Sequence, residues 1–476
     1  MTEIPEQSKS SRRTFLAASA AVGGVSLAGI PGVAGADSDH DDNDRPPLAQ
    51  KPGKELERIL RDVDQRRIEA TVRKLVSFGT RHTLSTQDDP NRGIGAARDW
   101  IFAEMSKYAA DSGGRMTVEL QSYIQQPDGG RIPVPTKITN VVATLRGSVA
   151  PNRVYVITGH YDSRVTDILN ATDDAPGAND DASGVAVVME AARVLAKRDS
   201  AATLIFAPVA GEEQNLYGSN HLATVLKAAG TDVQGMFTND IVGSSTADDG
   251  TRDPRTIRLF TEGVPTSETP AEANIRRAVG GENDSPARQL GRFVRDVADN
   301  DATGMDVRVI YRRDRYLRGG DHISFLTQGY PAARFTEPNE NYAHQHQDVR
   351  VENGVQFGDL IEFCDFAFMS RVCKVNVATL WSAANAPGTP KNVRILTAQL
   401  TNNTDLAWDR GTEPDLAGYE VVWRETTDPE WTHVIRVGDV TSTSIDMSKD
   451  NVFFGVRAVG RSGLRSQVRF PVPATS

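Results

Sequence analysis

The alternation of short apolar runs with helical stretches of 10–15 residues constrains this chain more than any other feature. Val154–Thr158 is one such run and closes on Gly159-His160. Thr203–Val209 is the next and closes on Ala210-Gly211-Glu212-Glu213. Between them lies Gly184–Ala196, which is strongly helical in composition. Strands that alternate with helices of this length read as an α/β sheet with parallel members. Upstream, Leu56, Ile59, Leu60, Val63, Ile68, Val72, Leu75 and Val76 recur at three-and-four spacing and predict helix from Lys51 onward. Ile94–Tyr108 predicts a second amphipathic helix, and Met116–Ile124 and Ile138–Leu145 are β-rich.

The texture changes after Trp381. Ala386-Pro387-Gly388-Thr389-Pro390 reads as a linker, and about ninety residues of alternating strand pattern follow it. Val393–Leu396, Asp405–Trp408, Tyr419–Trp423, His433–Val437 and Phe453–Val459 are five expected strands, whose spacing predicts an all-β sandwich. At the other end, Ser11-Arg12-Arg13-Thr14-Phe15-Leu16 precedes a weakly apolar stretch and the small-residue site Ala34-Gly35-Ala36, which resembles a twin-arginine export signal. The glycines and Pro31 in that stretch make it a poor spanning helix, so cleavage near Ala36 and no membrane span in the mature chain are expected. The expected organisation is therefore 1–36 export signal, 37–50 acidic linker, 51–385 α/β region and 386–476 β-sandwich.

Composition narrows the function classes. At 39% hydrophobic and 24% charged residues, the chain is neither a collagen, a coiled coil nor wholly disordered. The net charge of −10 argues against a nucleic-acid footprint. Cys364 and Cys373 lie in the run Leu360–Leu380, which reads as one helix. Nine helical residues span ~13.5 Å, and a disulfide needs Cα atoms within ~7 Å. Two free, buried thiols are expected.

The chemistry-bearing residues sit where the runs end. His160 closes the first apolar strand, and ligand sites in open α/β sheets lie at the carboxyl ends of strands. Asp162 is near enough to steady its imidazole from the second nitrogen. Gly177-Ala178-Asn179-Asp180-Asp181-Ala182-Ser183-Gly184 leads into the helical run; capping explains one of the two aspartates, and explains two less well. Glu212 and Glu213 would repel if both were buried and bare, and a metal resolves this by binding one and leaving the other to handle protons. Asp240 stands at the end of a weaker apolar run, and Asn341–Asp348 brings His344, His346 and Asp348 together. His, Asp, Glu and Asp at four separate positions, with His at a fifth, make an oxygen and nitrogen ligand set without thiolate, suited to hydrolytic Zn²⁺. His160, Asp180, Glu213, Asp240 and His344 supply the donors that two metals need when one carboxylate bridges.

These strings resemble the co-catalytic di-zinc exopeptidases, a family that includes secreted bacterial leucine aminopeptidases, aminopeptidase Y and glutamate carboxypeptidases. The matching motifs are GHYDS, GANDDASG, AGEEQNLYGS, TNDIVG, GGDHISF and HQHQD, in that order, within about residues 55–380. The resemblance implies a mixed, mostly parallel central sheet flanked by helices and two zinc ions per chain. It implies that Asp180 bridges, that His160 and Asp240 complete one site, and that Glu213 and His344 complete the other. His344 is preferred because the family pattern places its ligand four residues before the Asp, here Asp348; His346 is the alternative ligand. Glu212 becomes the general base and Asp162 the carboxylate behind His160. Asp321 and His322 are implied as substrate-contacting or supporting residues, although Gly320 stands where family members often carry Ser. The residues after Ala386 resemble a fibronectin type III module, a candidate unit for binding a surface or polymer.

The expected activity is removal of N-terminal residues from peptide substrates by metal-activated water. Arg312, Arg313, Arg315 and Arg318 keep a carboxypeptidase or dipeptidase open, since such enzymes hold a C-terminal carboxylate. A non-catalytic exported binding protein is the third reading, and the complete ligand set with both glutamates argues against it. Gly243–Arg318 has no readable motif and is expected to wall the pocket, folding over it as a lid.

Overall fold

A computed structural model describes residues 48–475. The expected export signal and residues 37–47 of the expected linker lie outside the described residues. Leu48–Gln50, expected in that linker, are instead packed. Leu48 lies against Val422, Trp431 and Val468, and Gln50 is buried, because their apolar and amide groups find partners here.

The uninterrupted apolar runs become the middle of an eight-stranded sheet in the order β1-β2-β4-β3-β5-β8-β6-β7. Its strands are β1 (Met116–Gln125), β2 (Thr136–Leu145), β3 (Ala150–His160), β4 (Ala202–Val209), β5 (Asp232–Asn239), β6 (Thr256–Phe260), β7 (Asp306–Ile310) and β8 (Ala332–Thr336). β3 runs parallel to β4 and β5, β5 to β8, and β6 to β7. The pairs β1–β2, β2–β4 and β6–β8 are antiparallel. The sheet is therefore mixed and mostly parallel. Every residue of β4 is buried, as in a strand covered on both faces.

Nine helices are described: α1 (Lys54–Arg61), α2 (Gln65–Val76), α3 (Gly93–Ala110), α4 (Ala182–Ala196), α5 (Tyr217–Ala228), α6 (Pro270–Val279), α7 (Pro286–Ala298), α8 (His322–Thr327) and α9 (Phe366–Asn385). One core layer joins α2, α3, α4, α7 and α9 to one face of the sheet, and a smaller layer under α5 and α8 covers the other. In α4 only Arg193 escapes burial, so its small and β-branched residues pack at close range. Each fully buried Val there contributes ~1.5–3 kcal/mol. Among the described residues no helix is long and apolar enough to cross a membrane.

Two expectations need correction. Gly243–Arg318 does not form a lid as a whole: it supplies β6 and β7 to the sheet edge and α7 to the core. Its pattern is hard to read because α6 buries none of its residues, while α7 buries Arg288 and Arg292. The long helix starts at Phe366, where Asp365 caps it by accepting from the Phe368 N–H. Cys364 thus lies before the helix and is partly exposed, whereas Cys373 is buried within it; both thiols are free.

After a short hairpin of β9 (Arg350–Glu352) and β10 (Val355–Phe357), α9 hands over to a C-terminal β-sandwich. One sheet holds β11 (Lys391–Leu396), β12 (Thr404–Asp409), β15 (Ser442–Ile445) and β17 (Val472–Ala474). The other holds β13 (Leu416–Glu425), β14 (His433–Gly438) and β16 (Val452–Gly460). Trp408, Tyr419, Val421, Phe454 and Val456 fill the space between them. The sandwich is bonded to the α/β region through polar groups, two of the bonds buried. Arg424 donates to Asp284 Oδ2 at 2.7 Å, Trp431 Nε1 to Gln289 at 2.8 Å and Tyr311 to Glu430 at 2.6 Å.

Candidate metal centre

The order β4-β3-β5 brings three parallel strand ends to one edge of the sheet. His160 is the last residue of β3, Glu212 and Glu213 follow β4, and Asp240 directly follows β5. Asp180 comes from the loop before α4, and His346 from the loop after β8. The convergence depends on two glycines. A Cβ on Gly184 would lie 2.0 Å from the Asn239 carbonyl oxygen, and one on Gly159 would lie 2.6 Å from the Gly184 carbonyl carbon. Only bare backbone lets α4 approach the ends of β3 and β5 this closely.

Two ligand groups result. His160, Glu212 and Asp240 form one, and Asp180, Glu213 and His346 the other, with the donor atoms of each group within 4.8 Å of one another. Asp180 faces both: its Oδ1 is 3.1 Å from His160 Nε2 and its Oδ2 is 2.9 Å from His346 Nε2. His346 Nε2 also lies 2.9 Å from Glu213 Oε1. His160 Nε2 is 3.9 Å from Asp240 Oδ1 and 4.0 Å from Glu212 Oε2.

Hydrogen bonds fix these groups from behind. His160 Nδ1 donates to the Asp162 main-chain carbonyl at 3.1 Å, while the Asp162 carboxylate stands 3.6 Å away. The expected carboxylate partner is therefore a carbonyl. The Asp162 carboxylate accepts instead from the Glu212 and Glu213 N–H groups at 3.3 and 3.1 Å and from Thr83 Oγ1 at 3.0 Å, orienting the glutamate pair. Asp181 caps α4 and also accepts from the His160 N–H at 3.0 Å. Arg334 donates to Asp240 Oδ1 at 2.8 Å, and Arg164 Nε to Glu213 Oε2 at 2.9 Å.

Four carboxylates and two imidazoles share this buried space. Burial is the strongest influence on Glu212 and, with the charges of Asp240 and Glu213, lifts its carboxyl well above the usual range against His160. Burial opposes ionisation of Asp180, yet His346 and His160 hold it well below that range. Burial likewise opposes protonation of His346, but Glu213 and Asp180 outweigh it and push the pKa up to about 10. Such an excess of buried anionic oxygen is expensive unless cations complete it. The donors are all carboxylate oxygen and imidazole nitrogen, a set that fits zinc in a hydrolytic site.

His344 is not brought to the cluster. Asn341 accepts from the Ala343 N–H and folds Tyr342–His344 into a single 3-10 turn, and the His344 ring stacks on Phe363 with centroids 3.5 Å apart. Two residues on, His346 takes a left-handed φ of +51° and turns its imidazole onto Asp180 and Glu213. Counting back from Asp348 missed this because the turn decides which ring points inward. Asp321 lies below the cluster with a carboxylate oxygen 3.5 Å from Thr158 Oγ1, and burial pushes its pKa up to about 6. His322 joins neither group; its Nε2 donates to the Arg313 carbonyl at 2.9 Å and braces that loop.

Sequence reasoning missed four supporting residues. Asp359 accepts from the Asn179 and Asp180 N–H groups, both at 2.7 Å, and so fixes the loop that carries Asp180. Arg81 is fully buried and donates to the carbonyls of Tyr161, Pro176 and Gly177. Arg164 and Arg334 are the others. Arg164 directly follows GHYDS and so had a positional signal; Asp359 and Arg334 had none.

Residues 140–353 match the profile of peptidase family M28. Over 429 residues the chain is 58% identical to a probable zinc metalloprotease of Pyrenophora teres f. teres, covering 90% of this chain and 89% of that one. It is also 58% identical over 422 residues to a probable zinc metalloprotease of Leptosphaeria maculans, covering 89% and 98%. Among solved structures, the Legionella pneumophila LapA aminopeptidase superposes with a TM-score of 0.49 at 19% identity, covering 73% of this chain and 75% of that one.

Proposed function

We propose, from the premise that this chain belongs to peptidase family M28, that it is a zinc metalloprotease acting as an aminopeptidase at a pair of zinc ions. The observation that carries this reading is Asp180, whose two carboxylate oxygens face two separate ligand groups. In this reading His160 and Asp240 would hold one ion, Glu213 and His346 the other, and Asp180 would contribute to both. When bound, the ions supply Lewis acidity, which acidifies water and polarises a scissile carbonyl.

The chain's own residues supply proton handling and orientation. Glu212 sits beside this site, its Oε2 4.0 Å from His160 Nε2, so it takes a proton from water and returns it to the leaving amine. Asp162 sets the direction of that carboxylate through the Glu212 N–H, and Asp359 holds the Asp180 loop. The burial of Asp180, Glu213 and Asp240 keeps bulk water from competing.

Three of the four arginines that kept a carboxypeptidase open already have side-chain partners. Arg315 and Arg318 lie 3.3 and 2.7 Å from the Glu340 carboxylate, and Arg312 stacks on Tyr316. This favours the aminopeptidase. The reading also includes export by the twin-arginine route and a fibronectin type III-like sandwich. A panel of fluorogenic amino-acid amides, with free and with blocked amines, tests the activity. Turnover of free-amine substrates only, abolished by a chelator, with two zinc ions per chain by elemental analysis, is the expected result. Equal turnover of blocked substrates, or turnover that persists in chelator, overturns it.

A further inference from the structure

Arg164 lies just outside the two ligand groups, and only 14% of its side chain is exposed. Its Nε donates to Glu213 Oε2 at 2.9 Å, its Nη1 donates to the Val165 carbonyl at 3.1 Å, and its Nη2 abuts His346 Nδ1. Glu213 therefore has its two oxygens divided: Oε1 faces the cluster at His346 Nε2, and Oε2 is held by the guanidinium. We infer that Arg164 is a positioning residue that limits Glu213 to one metal-binding oxygen and so keeps a coordination position open for water and substrate. This rests on the two-zinc reading above.

The physical argument is one of competition for a lone pair. A carboxylate binds a cation through one oxygen or two, and a catalytic metal needs a position that no protein atom fills. A charge-assisted bond from a nearly buried guanidinium is short and strong, and here it is anchored by the Val165 carbonyl. Rotating Glu213 to offer both oxygens would break it. The guanidinium also withdraws charge from Glu213, which leaves the metal the stronger Lewis acid.

Cobalt substitution tests this, because cobalt with four or five ligands absorbs visible light more strongly than cobalt with six. Wild type, Arg164→Met and Arg164→Lys are stripped and reloaded with Co²⁺, then compared by metal content, absorption spectrum and kinetics. The expected result is two Co²⁺ in every form, weakened visible bands in Arg164→Met, and kcat lower by about 10–100-fold with little change in KM. Arg164→Lys, which keeps a cation near Oε2, recovers part of both. An unchanged spectrum and kcat in Arg164→Met overturns the proposal, as does loss of a metal ion from that variant. Fewer than two Co²⁺ in the wild type instead overturns the two-metal reading itself.

Discussion

In the proposed two-zinc reading the sequence neighbours Glu212 and Glu213 have opposite tasks, and the structure separates them by charge. Glu213 faces His346 and Arg164, which hold it below the usual carboxylate range against the effect of burial, whereas Glu212 is lifted well above it. Glu212→Gln should lower kcat by ~10²–10⁴-fold while both zinc ions remain, which elemental analysis of the purified variant checks. The two histidines of the HQHQD string give a sharper comparison. His346→Ala should lose one of the two metal equivalents, whereas His344→Ala, which removes only a ring stacked on Phe363, should keep both. Retention of both ions by His346→Ala would refute that ligand assignment. The glutamates were legible in the sequence because adjacent acids after an apolar run are hard to explain otherwise. The preference between His344 and His346 was not, since the direction of the ring depends on one left-handed residue.

At the scale of elements, α8 ties the site to its flanking loop. His322 begins α8 fully buried, donates to the Arg313 carbonyl, and burial pushes its pKa down to about 4, against the charge of Asp314. The unfolded chain takes up that proton near pH 6.5. The folded form thus binds fewer protons between these values, and stability present above pH 6.5 is lost as pH falls toward 4, by ~3 kcal/mol. His322→Gln should remove this slope: urea midpoints of wild type and variant should diverge from pH 7 to pH 4.5, with the wild type falling faster. Parallel curves would show that the imidazole is not held neutral. The central strands and α3 and α4 were readable because burial enforces apolar periodicity. β15 and β17 were not, since they are short strands at the sheet edges, and β6–α7 was obscured by buried arginines paired within the fold.

For the molecule as a whole, the sandwich is part of the fold and not an appendage on a tether. Arg424, Arg292 and Asp284 form an ion-paired cluster with almost no exposure, roofed by Trp431. Arg424→Met leaves Asp284 with one cation and should cost about 3 kcal/mol. Chemical denaturation should show one cooperative transition for the wild type, and limited proteolysis at Ala386–Pro390 should not shed the sandwich. Two well-separated wild-type transitions would contradict this. The linker composition that marked the boundary in the sequence says where the texture changes, and says nothing about the polar interface that forms across it. The bonds at Gln50 carry a further consequence. Its N–H donates to the Asp296 carbonyl, and its side-chain oxygen accepts from the Arg465 N–H, a partner 415 positions later. Translation must pass Arg465 before that junction can close, so a product clipped short of it carries an open seam at Gln50.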